Sequence, residues 1–124
     1  MSDASFTNNK AGEKGGGMFG YEGSLVLTNA TFESNRADIL GGGLANYYLP
    51  TADLTNVTFN DNSAAMYGGA IYNDTSNVKL VDANIISNEA KYAGGMFIES
   101  GDSSLRNVTF YQNYGVIGGA MTNY

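Results

Sequence analysis

Asn56-Val57-Thr58-Phe59-Asn60-Asp61-Asn62-Ser63-Ala64-Ala65-Met66-Tyr67-Gly68-Gly69-Ala70-Ile71 decides the fold, because the rest of the chain repeats it. Its Phe59 belongs to a column of Phe6, Phe32, Phe59, Ile85 and Phe110, which step along the chain by 26, 27, 26 and 25 residues. Three positions after each stands an Asn: Asn9, Asn35, Asn62, Asn88 and Asn113. Two further on is a small residue: Ala11, Ala37, Ala64, Ala90 and Gly115. Five positions ahead of each later Phe-type residue comes a Leu: Leu27, Leu54, Leu80 and Leu105. A fixed period shared by independent columns is the signature of a repeat architecture.

The glycines join the same frame. Gly15-Gly16-Gly17-Met18, Gly41-Gly42-Gly43-Leu44, Gly68-Gly69-Ala70-Ile71, Gly94-Gly95-Met96-Phe97 and Gly118-Gly119-Ala120-Met121 align, which puts Phe97 in the apolar column with Met18, Leu44, Ile71 and Met121. Short segments such as Leu25-Val26-Leu27 and Val57-Thr58-Phe59 alternate with period two, and no 3.6-residue stripe competes with them. The expectation is an all-β chain: a right-handed parallel β-helix of five coils, roughly 26 residues and three short strands per coil. It forms one solenoid domain over 1–124, with repeats near 3–28, 29–55, 56–81, 82–106 and 107–124.

Stacked coils lie about 4.8 Å apart, so each column becomes a ladder. The Phe and Leu columns should line the interior. The Asn column suits a bend with amides bonded along the axis, because Asn tolerates left-handed backbone. Gly-Gly suits positive φ or close backbone approach. Thr31, Thr58, Thr109, Tyr47, Tyr48, Tyr72 and Tyr111 should face outward, and the last four form a candidate interaction surface.

Composition narrows the chemistry. The 124 residues include 17 Gly, against about 9 at average usage, and only one Pro, which points to repeated tight turns rather than a linker. A net charge of −6 argues against nucleic acid or an anionic membrane as partner. Cys and His are absent, which removes thiol nucleophiles, disulfides, imidazole acid–base catalysis and the usual zinc sites. Asp53, Asp61, Asp74, Asp82 and Asp102 fall in different columns, as a solvated face does, so no catalytic residue, metal or cofactor is expected.

The glycines recur in every turn, unlike a phosphate-binding loop, which occurs once before a helix. Asn29, Asn56, Asn73 and Asn107 each open an Asn-x-Thr acceptor pattern, three of them in one repeat column. An ice-binding array would need two matched Thr columns, and the second, Thr28, Thr55, Val81 and Arg106, breaks down.

Phe59-Asn60-Asp61-Asn62 followed by Gly68-Gly69-Ala70-Ile71 resembles the F-x-x-N and GG-A-I repeats of the chlamydial polymorphic outer-membrane proteins and related bacterial surface proteins. The resemblance implies a right-handed β-helix exported to the cell surface or beyond, often adhesive. No apolar run is long enough to span a membrane, and Met1-Ser2-Asp3 opens on a polar segment, so the expectation is that the signal of an exported protein is removed or lies outside this chain.

Neither end shows a cap, and a solenoid end exposes unpaired strands. The expectation is therefore a non-catalytic extracellular structural protein, self-associating through its ends into a filament. The alternative is an adhesin segment that binds a host protein or glycan through its Tyr-rich face. A polysaccharide-active enzyme and an ice-binding protein are the less favoured readings.

Overall fold

The computed structural model describes residues 1–124. Along the chain run β1 (Ser5–Thr7), β2 (Lys10–Ala11), β3 (Met18–Tyr21), β4 (Ser24–Glu33), β5 (Arg36–Ala37), β6 (Leu44–Tyr47), β7 (Thr51–Asn60), β8 (Ser63–Ala64), β9 (Ile71–Asp74), β10 (Val78–Ile86), β11 (Glu89–Tyr92), β12 (Met96–Ile98), β13 (Ser103–Tyr111), β14 (Tyr114–Ile117) and β15 (Met121–Asn123). They form three five-stranded sheets, β1-β4-β7-β10-β13, β2-β5-β8-β11-β14 and β3-β6-β9-β12-β15. Neighbours in each sheet pair in parallel. Every strand therefore pairs with its counterpart one coil away, which makes a β-solenoid of five coils with three strands per coil.

The first sheet holds both apolar columns. Leu27, Leu54, Leu80 and Leu105 are in register, as are Phe6, Phe32, Phe59, Ile85 and Phe110. The Leu and Phe segments are thus one long strand rather than two, and the third strand of each coil is the short one at the small-residue column. Within the long strands a single residue is left-handed: Asn29, Asn56, Asp82 and Asn107, with φ between 53° and 55°. Asn and Asp accept that conformation more readily than other non-Gly residues, so the strand bends there without ending.

The interior is a stack of like on like. The rings of Phe6, Phe32 and Phe59 lie nearly parallel at centroid spacings of 4.6 Å. Leu27, Leu54, Leu80, Leu44, Ile71, Met96 and Ile98 surround them in one buried cluster. The cover thins at the ends: Phe6 and Phe110 are only partly buried, and Leu105 is 37% exposed.

The corner after the Phe column differs from the expected Asn bend. The left-handed residue is the one before each Asn (Asn8, Ser34, Asp61, Ser87 and Gln112), and the Asn side chain itself turns inward. Asn35, Asn62 and Asn88 are fully or almost fully buried. The Oδ1 of each accepts from the backbone N–H and the Nδ2 of the Asn one coil earlier, at 2.8–3.0 Å. Nδ2 of Asn35, Asn62, Asn88 and Asn113 also donates to the carbonyls of Phe6, Phe32, Phe59 and Ile85. Every hydrogen-bonding site of a central Asn amide is therefore used, which is the condition for burying it.

The glycine segment carries a register correction. Met96, not Phe97, pairs with Ile71 and Met121. Ala93, with φ 56°, takes the left-handed place that Gly68 holds one coil earlier, and Gly94 stands over Gly69. The fourth Gly-Gly pair is therefore offset by one from its neighbours, and Phe97 points out of the solenoid. At Gly69 a Cβ would collide with the Gly94 carbonyl of the next coil, so backbone approach excludes any side chain.

Candidate functional site

The outer face of the β3-β6-β9-β12-β15 sheet is paved with rings. One outward column is Phe19, Ala45, Tyr72, Phe97 and Thr122; a second begins Tyr21, Tyr47 and Asp74. A third, at the corner, is Lys14, Leu40, Tyr67 and Tyr92. Strand alternation sends these side chains to one side, and the 26-residue period brings them into contact. Tyr67 stacks on Tyr92 at 4.9 Å and meets Phe97 at a tilt at 4.9 Å, Tyr72 lies parallel to Phe97 at 5.8 Å, and Tyr47 meets Tyr72 at 5.5 Å. Leu40, Ala45, Tyr72, Ala93 and Phe97 form a second buried cluster outside the coil.

Four tyrosines stand out in the sequence, and they have different fates. Tyr72 was expected to be exposed; it does face outward, but the neighbouring rings leave only 3% of it accessible. Tyr47 is half-buried, and Tyr48 is exposed beside it at 6.3 Å. Tyr111 is exposed at the end of β13, in a different sheet, and takes no part in this face. Phe19, Tyr21, Tyr92 and Tyr124 belong to the face or its rim although nothing in the sequence singled them out; Tyr67, which the sequence groups with Tyr72, and Phe97, which it assigns to the apolar column, join them. Reading the residue just before each left-handed Gly or Ala as a column would have added Tyr92 to Tyr67.

Charges are interleaved with the rings. The Lys14 ammonium lies 4.5 Å from the centre of the Tyr47 ring and 3.4 Å from the Glu13 carboxylate. The Tyr72 hydroxyl donates to Glu99. Burial, followed by the carboxylates of Asp74, Glu99 and Glu13, pushes the Tyr47 phenol up to about 12. Tyr67, Phe97, Glu99 and Tyr124 line a cleft of about 240 Å³ at the far end of the face.

The Asn ladder has a polarity along the axis. Asn9 Oδ1 accepts nothing, and the Asn113 backbone N–H donates to nothing. One end of the Asn ladder therefore presents an unused acceptor and the other an unused donor. Elsewhere, no group of three or more acidic side chains is placed to hold a metal ion. No helix is long and apolar enough to cross a membrane. Of the four Asn-x-Thr asparagines, Asn29, Asn56 and Asn107 are exposed, whereas Asn73 is buried with its amide bonded to the Ser76 carbonyl.

Neither the curated proteins nor the solved structures include a match to this chain. Residues 56–74 match the family model described as the Chlamydia polymorphic membrane protein (Chlamydia_PMP) repeat. That match spans the left-handed Asn56, the Phe59 stack, the Asn62 ladder and the Gly68-Gly69 corner, so this stretch of the parallel β-solenoid is similar to a Chlamydia polymorphic membrane protein repeat.

Proposed function

We propose that the chain is a non-catalytic, surface-displayed structural solenoid whose terminal coils stack head to tail, one copy on the next. The observation that carries this reading is the polarity of the Asn ladder. Setting Asn9 of one copy over Asn113 of another lets the Asn113 N–H and Nδ2 donate to Asn9 Oδ1, with Asn9 Nδ2 returning a bond to the Phe110 carbonyl. Each of these bonds repeats one already made between neighbouring coils. The same placement seats Phe6 on Phe110 and extends the ring stack. A head-to-tail contact of this kind does not close on itself and builds a filament.

Sedimentation and negative-stain microscopy over a wide concentration range test this. Concentration-dependent particles that elongate along one axis are expected, and Phe110→Glu should hold the chain at one copy while circular dichroism stays β-rich. A single monomeric species at all concentrations overturns the reading.

The aromatic face favours a second role, adhesion. Phe19, Tyr21, Tyr48 and Tyr124 keep between 46% and 91% of their surface exposed around a packed ring cluster, which is the composition of a recognition surface. The repeat of residues 56–74 supports display at a cell surface for both roles.

A further inference from the structure

We infer that the cleft between Tyr67, Phe97, Glu99 and Tyr124 is a receptor for an organic cation, the guanidinium or ammonium group of a basic side chain on a partner protein. This rests on, and deepens, the adhesive reading of the aromatic face.

Two cations of the chain itself already lie over rings of this face. Lys14 lies over Tyr47 at 4.5 Å and near Phe19 at 6.0 Å, with the Glu13 carboxylate 3.4 Å from its Nζ. Lys91 lies over the Tyr92 ring at 5.2 Å and lines a different hollow. The first of these is a working example of the local chemistry: a ring face, a carboxylate and an alkylammonium in one cluster. Cations are drawn to ring faces by the quadrupole, and more strongly where water is partly excluded.

The cleft repeats the rings and the carboxylate without the cation. Tyr67 and Phe97, 4.9 Å apart, line it together with Tyr124 and the Glu99 carboxylate. The Tyr72 hydroxyl orients Glu99 by donating to one of its oxygens, which leaves the other free to accept from a ligand. No Lys or Arg of the chain lines the cleft. Asp74, in the same outward column as Tyr47 one coil on, adds a second negative charge to this end of the face. A net charge of −6 over the whole chain steers a basic partner toward it. A sugar would find rings here too, but it would gain nothing from the carboxylate charge. The electrostatics therefore favour a cation.

The test is titration of the full chain with N-acetyl-arginine methylamide, N-acetyl-lysine methylamide, the neutral citrulline analogue and a neutral disaccharide, read by NMR shifts of the aromatic side chains. The arginine and lysine probes should shift Tyr67, Phe97 and Tyr124 with a dissociation constant on the order of 1 mM, as a single cation–ring–carboxylate contact gives. Glu99→Gln should weaken both about tenfold. Glu99 is exposed, so the variant keeps the fold, and the dispersion of the spectrum checks this in the same sample. Citrulline binding equal to arginine, or Glu99→Gln binding unchanged, overturns the cation receptor. If the disaccharide alone shifts the rings, the cation inference falls while the adhesive face stands; if no probe shifts them, both fall.

Discussion

At the scale of single residues, left-handed backbone decides which substitutions the solenoid tolerates. Gly68 has φ 64°, and a Cβ there would run into the Ile71 carbonyl. Gly68→Ala should cost about 2–4 kcal/mol, the left-handed penalty plus the steric clash. Ala93 occupies the same place one coil on with φ 56° and is fully buried against the aromatic face. Ala93→Gly should change stability by less than about 1 kcal/mol, because relief of backbone strain offsets the loss of one buried methyl. Urea denaturation of the pair measures the contrast, and equal costs would refute the register that places both residues in one column.

Tyr47 gives a pH signature at the same scale. Its folded-state pKa, about 12, lies above the unfolded value near 10, so the folded chain holds this proton more tightly. The stability it contributes is complete below pH 10 and is lost as pH rises from 10 to 12. Tyr47→Phe should flatten that part of a denaturation-against-pH curve, and an unchanged slope would exclude Tyr47 as its source.

At the scale of strands and ladders, the Asn column is the most sensitive polar element. Asn62→Ala strips partners from the buried Asn35 and Asn88 amides and from the Phe32 carbonyl. Each unsatisfied buried group costs about 1–3 kcal/mol, so the substitution should rank among the most damaging. Asn113→Ala, on the last coil, should cost less than half as much; similar losses at the two sites would show that the ladder does not run along the axis.

A second, exposed ladder runs up the strand bends. Asn29 donates to Asp3, Asn56 to Asn29 and Asn107 to Asp82, but no bond joins Asn56 and Asp82. There an amide oxygen faces a carboxylate. Asp82→Asn supplies the missing donor and should raise stability by about 0.5–1 kcal/mol. A loss of stability in thermal melts would contradict it.

The sequence made the columns of these ladders legible, because identical residues at one spacing need no structure to be seen. It did not reveal which side of the corner the Asn takes. Left-handed tolerance is a property of Asn in isolation, whereas its burial depends on a carbonyl one coil away.

At the scale of the whole molecule, each coil rests on its neighbours alone, so position along the axis sets the cost of a core deletion. Phe59 is fully buried between Phe32 and the coil of Ile85, and Phe59→Ala should cost about 3–5 kcal/mol. Phe110 is partly buried on the last coil, and Phe110→Ala should cost less than half of that in dilute solution. If copies stack, the difference should shrink as concentration rises, since Phe110 then becomes an interior ring. A difference independent of concentration would count against stacking.

The sequence by itself determined the period, the parallel architecture and the interior columns, because a solenoid converts sequence spacing directly into neighbour contacts. Only the tertiary structure decided where Phe97 and Tyr72 lie. A one-residue offset at Ala93 turns Phe97 from the core to the outside, since strand alternation reverses a side chain with each step. The rings of three coils then cover Tyr72 and leave a charged cleft beside it. Burial on an outer face depends on which neighbours meet there, and a column read in isolation does not contain that.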